Sequence, residues 1–223
     1  MPAPKTIKTR PDFSFEDSAS HLFSAQSGGI CGLDEVGRGP LAGPVVAAAV
    51  VLHRDPVHAP LWDLINDSKK LTVRRRADLF ARIHDAGDVS IALCTVEEID
   101  DINILQASLR AMRKAFDGLR MRPEAALVDG NKAPALPCKT QTIVKGDAKS
   151  LSIAAASIVA KHFRDEMMQK LHDEFPHYGW NKNAGYGTAT HLKALEIHGV
   201  TAHHRRSFSP VSKLILKDTS VIY

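Results

Sequence analysis

The stretch Gly32-Leu33-Asp34-Glu35-Val36-Gly37-Arg38-Gly39-Pro40-Leu41-Ala42-Gly43-Pro44 decides the fold. It opens in a short apolar run, Ile30 to Leu33, breaks into a loop punctuated by Gly and Pro, and leads into a second apolar run, Val45 to Leu52. Short apolar runs bounded in this way predict two strands joined by a glycine-rich loop, a hairpin. Asp34 and Glu35 then stand at the end of a buried strand. Successive residues of a regular strand point to opposite faces, so both acids can meet one partner only if the strand breaks at Glu35, and the glycines that follow permit that break.

Working outward, Thr72 caps a predicted helix through Asp85, with Leu79, Phe80 and Ile83 on its apolar face and Arg74, Arg75 and Arg76 solvated. Val89 to Val96 reads as a strand, Ile104 to Leu119 as a helix, and Ala125 to Val128 as a brief strand ending at Asp129. Thr140 to Val144 is a further strand candidate. A long helix fits 150 to 175, first small and apolar all round, then amphipathic through Phe163, Met167, Leu171 and Phe175. Strands come first and helices dominate later, without internal repeat, which predicts an α/β sandwich around a mixed sheet. The division expected is an extension over residues 1–27 outside the core, a core over 28–187, and a small helical appendage over 188–223.

At 223 residues the chain can bury one sizeable core, and 44% hydrophobic with 24% charged residues places it in the ordinary globular range. Leu41 to Leu52, interrupted by Pro44, is shorter than the roughly 20 residues that span a bilayer. Met1 to Arg10 lacks the apolar stretch of a secretory signal, so a cytoplasmic location is the expectation. Cys31, Cys94 and Cys138 lie far apart, which fits buried reduced thiols and neither a zinc cluster nor a disulfide framework. A formal charge of +4 is compatible with a polyanionic partner. His203-His204 beside Arg205-Arg206 fits a basic surface better than a ligand pair.

Four acids occupy the mouths of buried elements: Asp34 and Glu35, Asp129 after its strand, and Asp147 between an apolar strand and the long helix. Taken singly, each suits a turn or a helix cap. Together, carboxylates in such places suffer desolvation and mutual repulsion that a bound cation relieves. Hard divalent ions take carboxylate oxygens and carry substrate phosphates alongside them. Gly37-Arg38-Gly39 is not a dinucleotide fingerprint, since the next glycine is Gly43 and prolines follow; Gly146-Asp147-Ala148-Lys149-Ser150 lacks the Gly-Lys-Ser/Thr step of a phosphate loop.

The opening stretch closely resembles the signature of the type 2 ribonucleases H, bacterial ribonuclease HII in particular. The resemblance continues in family order through Asp67-Ser68-Lys69-Lys70-Leu71, Val128-Asp129-Gly130-Asn131, Lys145-Gly146-Asp147, Ala154 to Lys161, Gly185-Tyr186-Gly187-Thr188 and His204-Arg205-Arg206-Ser207-Phe208. It covers about Gly29 to Pro210, and residues 1–27 match nothing in the pattern. It implies a ribonuclease H-like mixed sheet flanked by helices, and an endoribonuclease acting on RNA/DNA hybrids and on ribonucleotides embedded in duplex DNA. It further implies that Asp34, Glu35, Asp129 and Asp147 bind metal, that the backbone of Gly37, Arg38 and Gly39 reads the ribose 2′-hydroxyl, and that Tyr186 stacks on the sugar across an RNA–DNA junction. Lys69 is a candidate phosphate contact.

The mechanism expected is two-metal hydrolysis with Mg²⁺ or Mn²⁺ ions roughly 3.5–4 Å apart, Asp34 being shared, and the resemblance implies 3′-hydroxyl and 5′-phosphate ends. A monomer is expected. Two other classes fit the acids less well: a hybrid-binding module without catalysis, and a metal-dependent nuclease for plain DNA or RNA. A β-branched residue at Gly37 or Gly39 is expected to damage activity more than stability.

Overall fold

The computed structural model describes residues 10–23, 29–66 and 68–220. Strand β1 (Ile30–Val36) pairs antiparallel with β2 (Val45–Leu52), as the two apolar runs predict. Every position of β2 is apolar because both of its faces are covered. Val45, Ala47, Ala49 and Val51 meet helix α4 (Val96–Asp117), whereas Val46, Ala48 and Val50 meet α5 (Leu151–Glu174) and α3 (Val73–Asp85). Strand β3 (Gly87–Cys94) continues the antiparallel side, while β4 (Ala125–Asp129) and β5 (Lys139–Ile143) add in parallel beyond β1. The mixed sheet has the order β3-β2-β1-β4-β5.

Helix α5 is buried throughout its first ten residues, Leu151 to Ala160, as a helix apolar all round must be. Each fully buried Leu, Ile or Val there contributes about 1.5–3 kcal/mol. It lies directly on β1: a Cβ at Gly32 would come within 2.1 Å of the Ser152 carbonyl carbon. That close approach is why a glycine sits inside the strand. Following β1 toward its carboxyl end, α5 then presents Ser157 and Arg164 to the strand end and its loop.

Thr72 caps α3 by accepting from the Arg75 N–H, and the helix ends at Asp85, as predicted. Arg76 departs from the solvated face expected of it; it is buried, donating to the Ser68 and Leu71 carbonyls and pairing with Asp165 at 3.0 Å. Strand β3 stops at Cys94 because Thr95 and Glu98 form a reciprocal capping box that starts α4 well before Ile104. The sequence spacing caught only the part of α4 that follows a kink at Asn103, where φ is +66°. Helices α7 (Ala189–His198) and α8 (Val211–Ser220) make up the C-terminal helical segment and, with α6 (Trp180–Asn183) before them, lie beside Leu41, Ala42 and Met168.

The expectation that residues 1–27 lie outside the core is corrected for the part described. Asp12 bridges Ser150, and helix α1 (Ser14–Phe23) buries Ala19 against Leu127, Ile143 and Ile153. Phe15 and Ala19, four apart, form the apolar stripe that so short a helix hides among serines and charges. Buried Glu16 accepts from Ser150 Oγ at 2.6 Å, Ser152 N at 2.8 Å and Ser152 Oγ at 2.7 Å, closing the N-terminus of α5. Its second oxygen is buried without a partner, which offsets part of that gain. Glu16→Ala strands three donors, so a loss of about 1–3 kcal/mol, seen as a fall of a few degrees in Tm by circular dichroism, is expected. An unchanged Tm would show that the clasp contributes nothing. Among the described residues, no helix is long and apolar enough to cross a membrane.

Candidate active site

Parallel pairing sets the two central acids side by side. Leu33 faces Val128 in the β1–β4 register, so Asp34 and Asp129 come next at the carboxyl ends of strands about 4.7–4.9 Å apart. Leu33 and Val128 both pack on the α4 side, which turns Asp34 and Asp129 to the α5 side. Glu35 does not join them through a strand break, which corrects that expectation: β1 stays in register with β2 as far as Val36↔Val46. Pairing continues through Val36, and Glu35 stands beside Asp34 at the strand end, where Arg38 Nη1 lies 3.4 Å from its Oε1 and the Asp129 carboxylate acts on it.

Asp34 is only 6% exposed. Burial, then the neighbouring Glu35 and Asp129 carboxylates, push its pKa well above the usual range, against hydrogen bonds from Ser157 and from the Glu35 N–H at 2.8 Å. Burial raises Glu35 to about 7, with Arg38 opposing the rise and Asp129 adding to it. Asp129 Oδ1 accepts from the Gly146 N–H at 2.6 Å, which draws in the single turn Gly146–Ala148 that carries Asp147. Asp34, Glu35 and Asp129 thus interact directly, and Asp147 is brought up to Asp129 through its neighbour.

Among the described residues, no three His, Cys, Asp or Glu side chains form a ready-made metal cage. The donor chemistry nevertheless fits a hard divalent cation. Asp34 and Glu35, whose pKa values burial and neighbouring carboxylates raise, would be stabilised by a positive ion that accepts oxygen ligands.

The loop after β1 carries Gly37, Arg38 and Gly39, the last two exposed. Tyr186, 49% exposed, sets its ring edge against Gly39; a Cβ there would lie 3.2 Å from Tyr186 Cε1. The Leu41 N–H donates to the Gly185 carbonyl at 2.8 Å, and His191 Nδ1 lies 2.9 Å from the Tyr186 carbonyl, so the two loops are fastened together. Lys69 belongs to the single turn Ser68–Lys70, whose Ser68 Oγ is 2.9 Å from Ser157 Oγ beside Asp34. The Lys69 side chain, and all of Asp67, lie outside the described residues.

The basic surface expected at 203–206 is a second correction, because His204 and Arg205 are buried. His204 Nε2 lies 3.1 Å from His191 Nε2, which also accepts from Trp180 Nε1 at 3.1 Å. Burial, then His191 and His203, lower the His204 pKa to about 3, so the ring is neutral inside this aromatic cluster. Sequence reasoning also missed Arg164. One signal was available: a loop with five glycines and prolines in eight residues exposes many backbone carbonyls, and carbonyls that are buried demand donors.

Adjacent parallel strands ending in acids, within a β3-β2-β1-β4-β5 mixed sheet carrying a long helix against β1, define a ribonuclease H-like fold. The family model described as Ribonuclease HII matches residues 31–211. A ribonuclease HII of Cereibacter sphaeroides is 53% identical over 215 residues, covering 96% of this chain and 98% of its own, so the likeness reaches into the first 27 residues. The ribonuclease H2 of Pyrococcus horikoshii OT3 superimposes with a TM-score of 0.71 at 27% identity, covering 84% of this chain and 97% of that one. Bst ribonuclease HIII, solved in complex with Mn²⁺, shares the fold with a TM-score of 0.67 at 19% identity, covering 98% of this chain and 77% of that one. The chain belongs to the ribonuclease HII family, and with it to the ribonuclease H class of enzymes.

Proposed function

We propose that the chain hydrolyses the RNA strand of RNA/DNA hybrids and cuts 5′ of single ribonucleotides embedded in duplex DNA. The observation that carries this reading is the placement of Asp34 and Asp129 on one side of adjacent strand ends, beside a loop that faces an exposed Tyr186. Asp34, Glu35, Asp129 and Asp147 would hold two Mg²⁺ or Mn²⁺ ions, and the donor set, together with the Mn²⁺ complex of the related ribonuclease HIII, supports that choice. Such ions, when bound, lower the pKa of a water and stabilise a departing 3′-oxygen, which leaves 3′-hydroxyl and 5′-phosphate ends.

The chain's own residues supply position. Asp34, held by Ser157 and by the backbone of Glu35, fixes the centre of the site. Arg38, exposed at the rim, is free to exchange Glu35 for a substrate phosphate. The amides of residues 37–39 read the 2′-hydroxyl, and Tyr186 covers the neighbouring deoxyribose. Labelled duplexes containing one ribonucleotide, all DNA, all RNA or a long hybrid, incubated with and without Mn²⁺, test the reading. Metal-dependent cleavage confined to the first and last is expected; cleavage of plain DNA or RNA, or binding without cleavage, would favour another class.

Tyr186→Ala is expected to lower kcat/KM at a single embedded ribonucleotide about tenfold to a hundredfold, the aromatic–base stacking range of about 1–3 kcal/mol being an upper bound for a sugar face. Tyr186→Phe should lose less. A long hybrid has no deoxyribose on the 3′ side of the cut and should suffer less from either change. Equal losses on both substrates would make the ring structural.

A further inference from the structure

Beneath the Gly37–Pro44 loop lie two arginines from separate segments, Arg164 of α5, 1% exposed, and Arg205 of the C-terminal segment, 0% exposed. All three nitrogens of each guanidinium donate to backbone carbonyls. Arg164 Nε donates to Pro44 O at 3.0 Å, Nη2 to Ala42 O at 3.1 Å and Nη1 to Ala184 O at 2.9 Å. Arg205 Nε donates to Gly43 O at 3.0 Å, Nη1 to Arg38 O at 2.9 Å, and Nη2 to Gly43 O at 2.8 Å and to Gly37 O. Among the described residues, neither is paired with a carboxylate. Burying two cations in this way is costly, and a simple anchor for the C-terminal segment would not need it.

The carbonyls they collect belong almost entirely to one loop: Gly37, Arg38, Ala42, Gly43 and Pro44, with Ala184 from the Tyr186 segment. In a trans peptide the carbonyl of one residue and the N–H of the next point opposite ways. Fixing the Gly37 and Arg38 carbonyls on Arg205 therefore turns the N–H groups of Arg38 and Gly39 away from the core, at the two exposed positions of the loop. The loop's left-handed glycines fit the same device. A Cβ on Gly37, where φ is +95°, would lie 2.3 Å from Arg164 Nε, and one on Gly43, where φ is +82°, would lie 2.5 Å from Met168 Sδ and 3.3 Å from Arg164 Nη2.

We propose that Arg205 and Arg164 are positioning residues for ribonucleotide recognition: their guanidinium forks hold the loop carbonyls inward so that the Arg38 and Gly39 amides face the sugar, and Arg164 ties that loop to the Tyr186 segment. This rests on the reading of the loop as the 2′-hydroxyl sensor. A lysine, with a single compact ammonium, cannot span the Gly37, Arg38 and Gly43 carbonyls, so Arg205→Lys is not conservative here.

The test measures dissociation constants by fluorescence anisotropy in EDTA for two duplexes of one sequence, one carrying a single ribonucleotide and one all DNA. Tm is recorded with and without Mn²⁺ as a report on the acids. The wild-type chain should bind the ribonucleotide duplex more tightly. Arg205→Lys should weaken that complex about tenfold, as the loss of charge-assisted hydrogen bonds implies. Its affinity for all-DNA duplex and its Mn²⁺-induced rise in Tm should be retained. A wild-type chain without the preference would sink the sensor reading itself. A wild-type preference that Arg205→Lys keeps would overturn the positioning role alone. Equal weakening on both duplexes with loss of the Mn²⁺ effect would make the arginines structural. Should Arg205→Lys prove unfolded by circular dichroism, Arg164→Lys faces the same criteria, and unfolding of both would overturn the proposal.

Discussion

Asp34→Asn is expected to lower turnover by at least about a thousandfold while leaving the fold intact, because losing a metal ligand should cost more than the 10–100-fold that its outer partners cost. Asp129→Asn, on the adjacent strand, should do the same. The metal-free proteins should change in the opposite sense. Burial and neighbouring charge raise Asp34 and Glu35 above their unfolded values, Glu35 to about 7, so the folded state prefers both protonated. The contribution of these two groups to metal-free stability should therefore be fully present below the ordinary carboxylate range and be lost as pH rises through about 7. Asn at 34 removes one of the repelling charges, so its metal-free Tm at pH 8 should exceed that of the wild type, and Mn²⁺ should raise it less. Thermal denaturation at pH 5 and pH 8, with and without Mn²⁺, checks the signs, and near-normal turnover would remove Asp34 from the metal site.

Gly37→Val and Gly39→Val should part company, although a β-branched residue at either position is expected from the sequence to damage activity more than stability. Gly37 is buried at φ +95° with Arg164 Nε 2.3 Å from the position of a Cβ. Left-handed strain of about 1–3 kcal/mol and overpacking of a similar size add there, for a fall in Tm of about 10 °C and loss of activity together. Gly39 is exposed, and its Cβ would press only on the Tyr186 ring. Gly39→Val should keep its Tm while losing most kcat/KM on a single-ribonucleotide duplex and part of its discrimination against all-DNA duplex. A stable Gly37→Val, or a Gly39→Val that discriminates as well as the wild type, would contradict this division of labour.

Much of the scaffold was legible because local chemistry and tertiary packing agree. The apolar run of β2 is read on both faces, Thr72 marks the start of α3, and 151–160 is apolar all round because it is covered all round. The four acids stood out as carboxylates at the mouths of buried elements, but their relation did not. Only the parallel β1–β4 register, a contact between residues about a hundred apart, sets Asp34 beside Asp129. Arg205 and His204 were misjudged for the converse reason. Composition makes a His-His-Arg-Arg run look like surface, and only the carbonyl-lined underside of a distant loop shows why an arginine is buried there. Asn103 and the capping box at Thr95 were visible residue by residue, yet a strand carried through to Val96 concealed them.

The chemistry of the cut ends tests the central reading most directly. A duplex with one ribonucleotide, labelled at either end, is cleaved in Mn²⁺ and in excess EDTA, and both new termini are identified by mass spectrometry. A 3′-hydroxyl on the upstream deoxynucleotide and a 5′-phosphate on the ribonucleotide, formed only with the metal, are expected of acids that hold metal and a 2′-hydroxyl that is only recognised. A 2′,3′-cyclic phosphate would make the 2′-hydroxyl the nucleophile, and cleavage that persists in EDTA would make the reaction independent of metal; either would contradict the role given to Asp34, Glu35, Asp129 and Asp147.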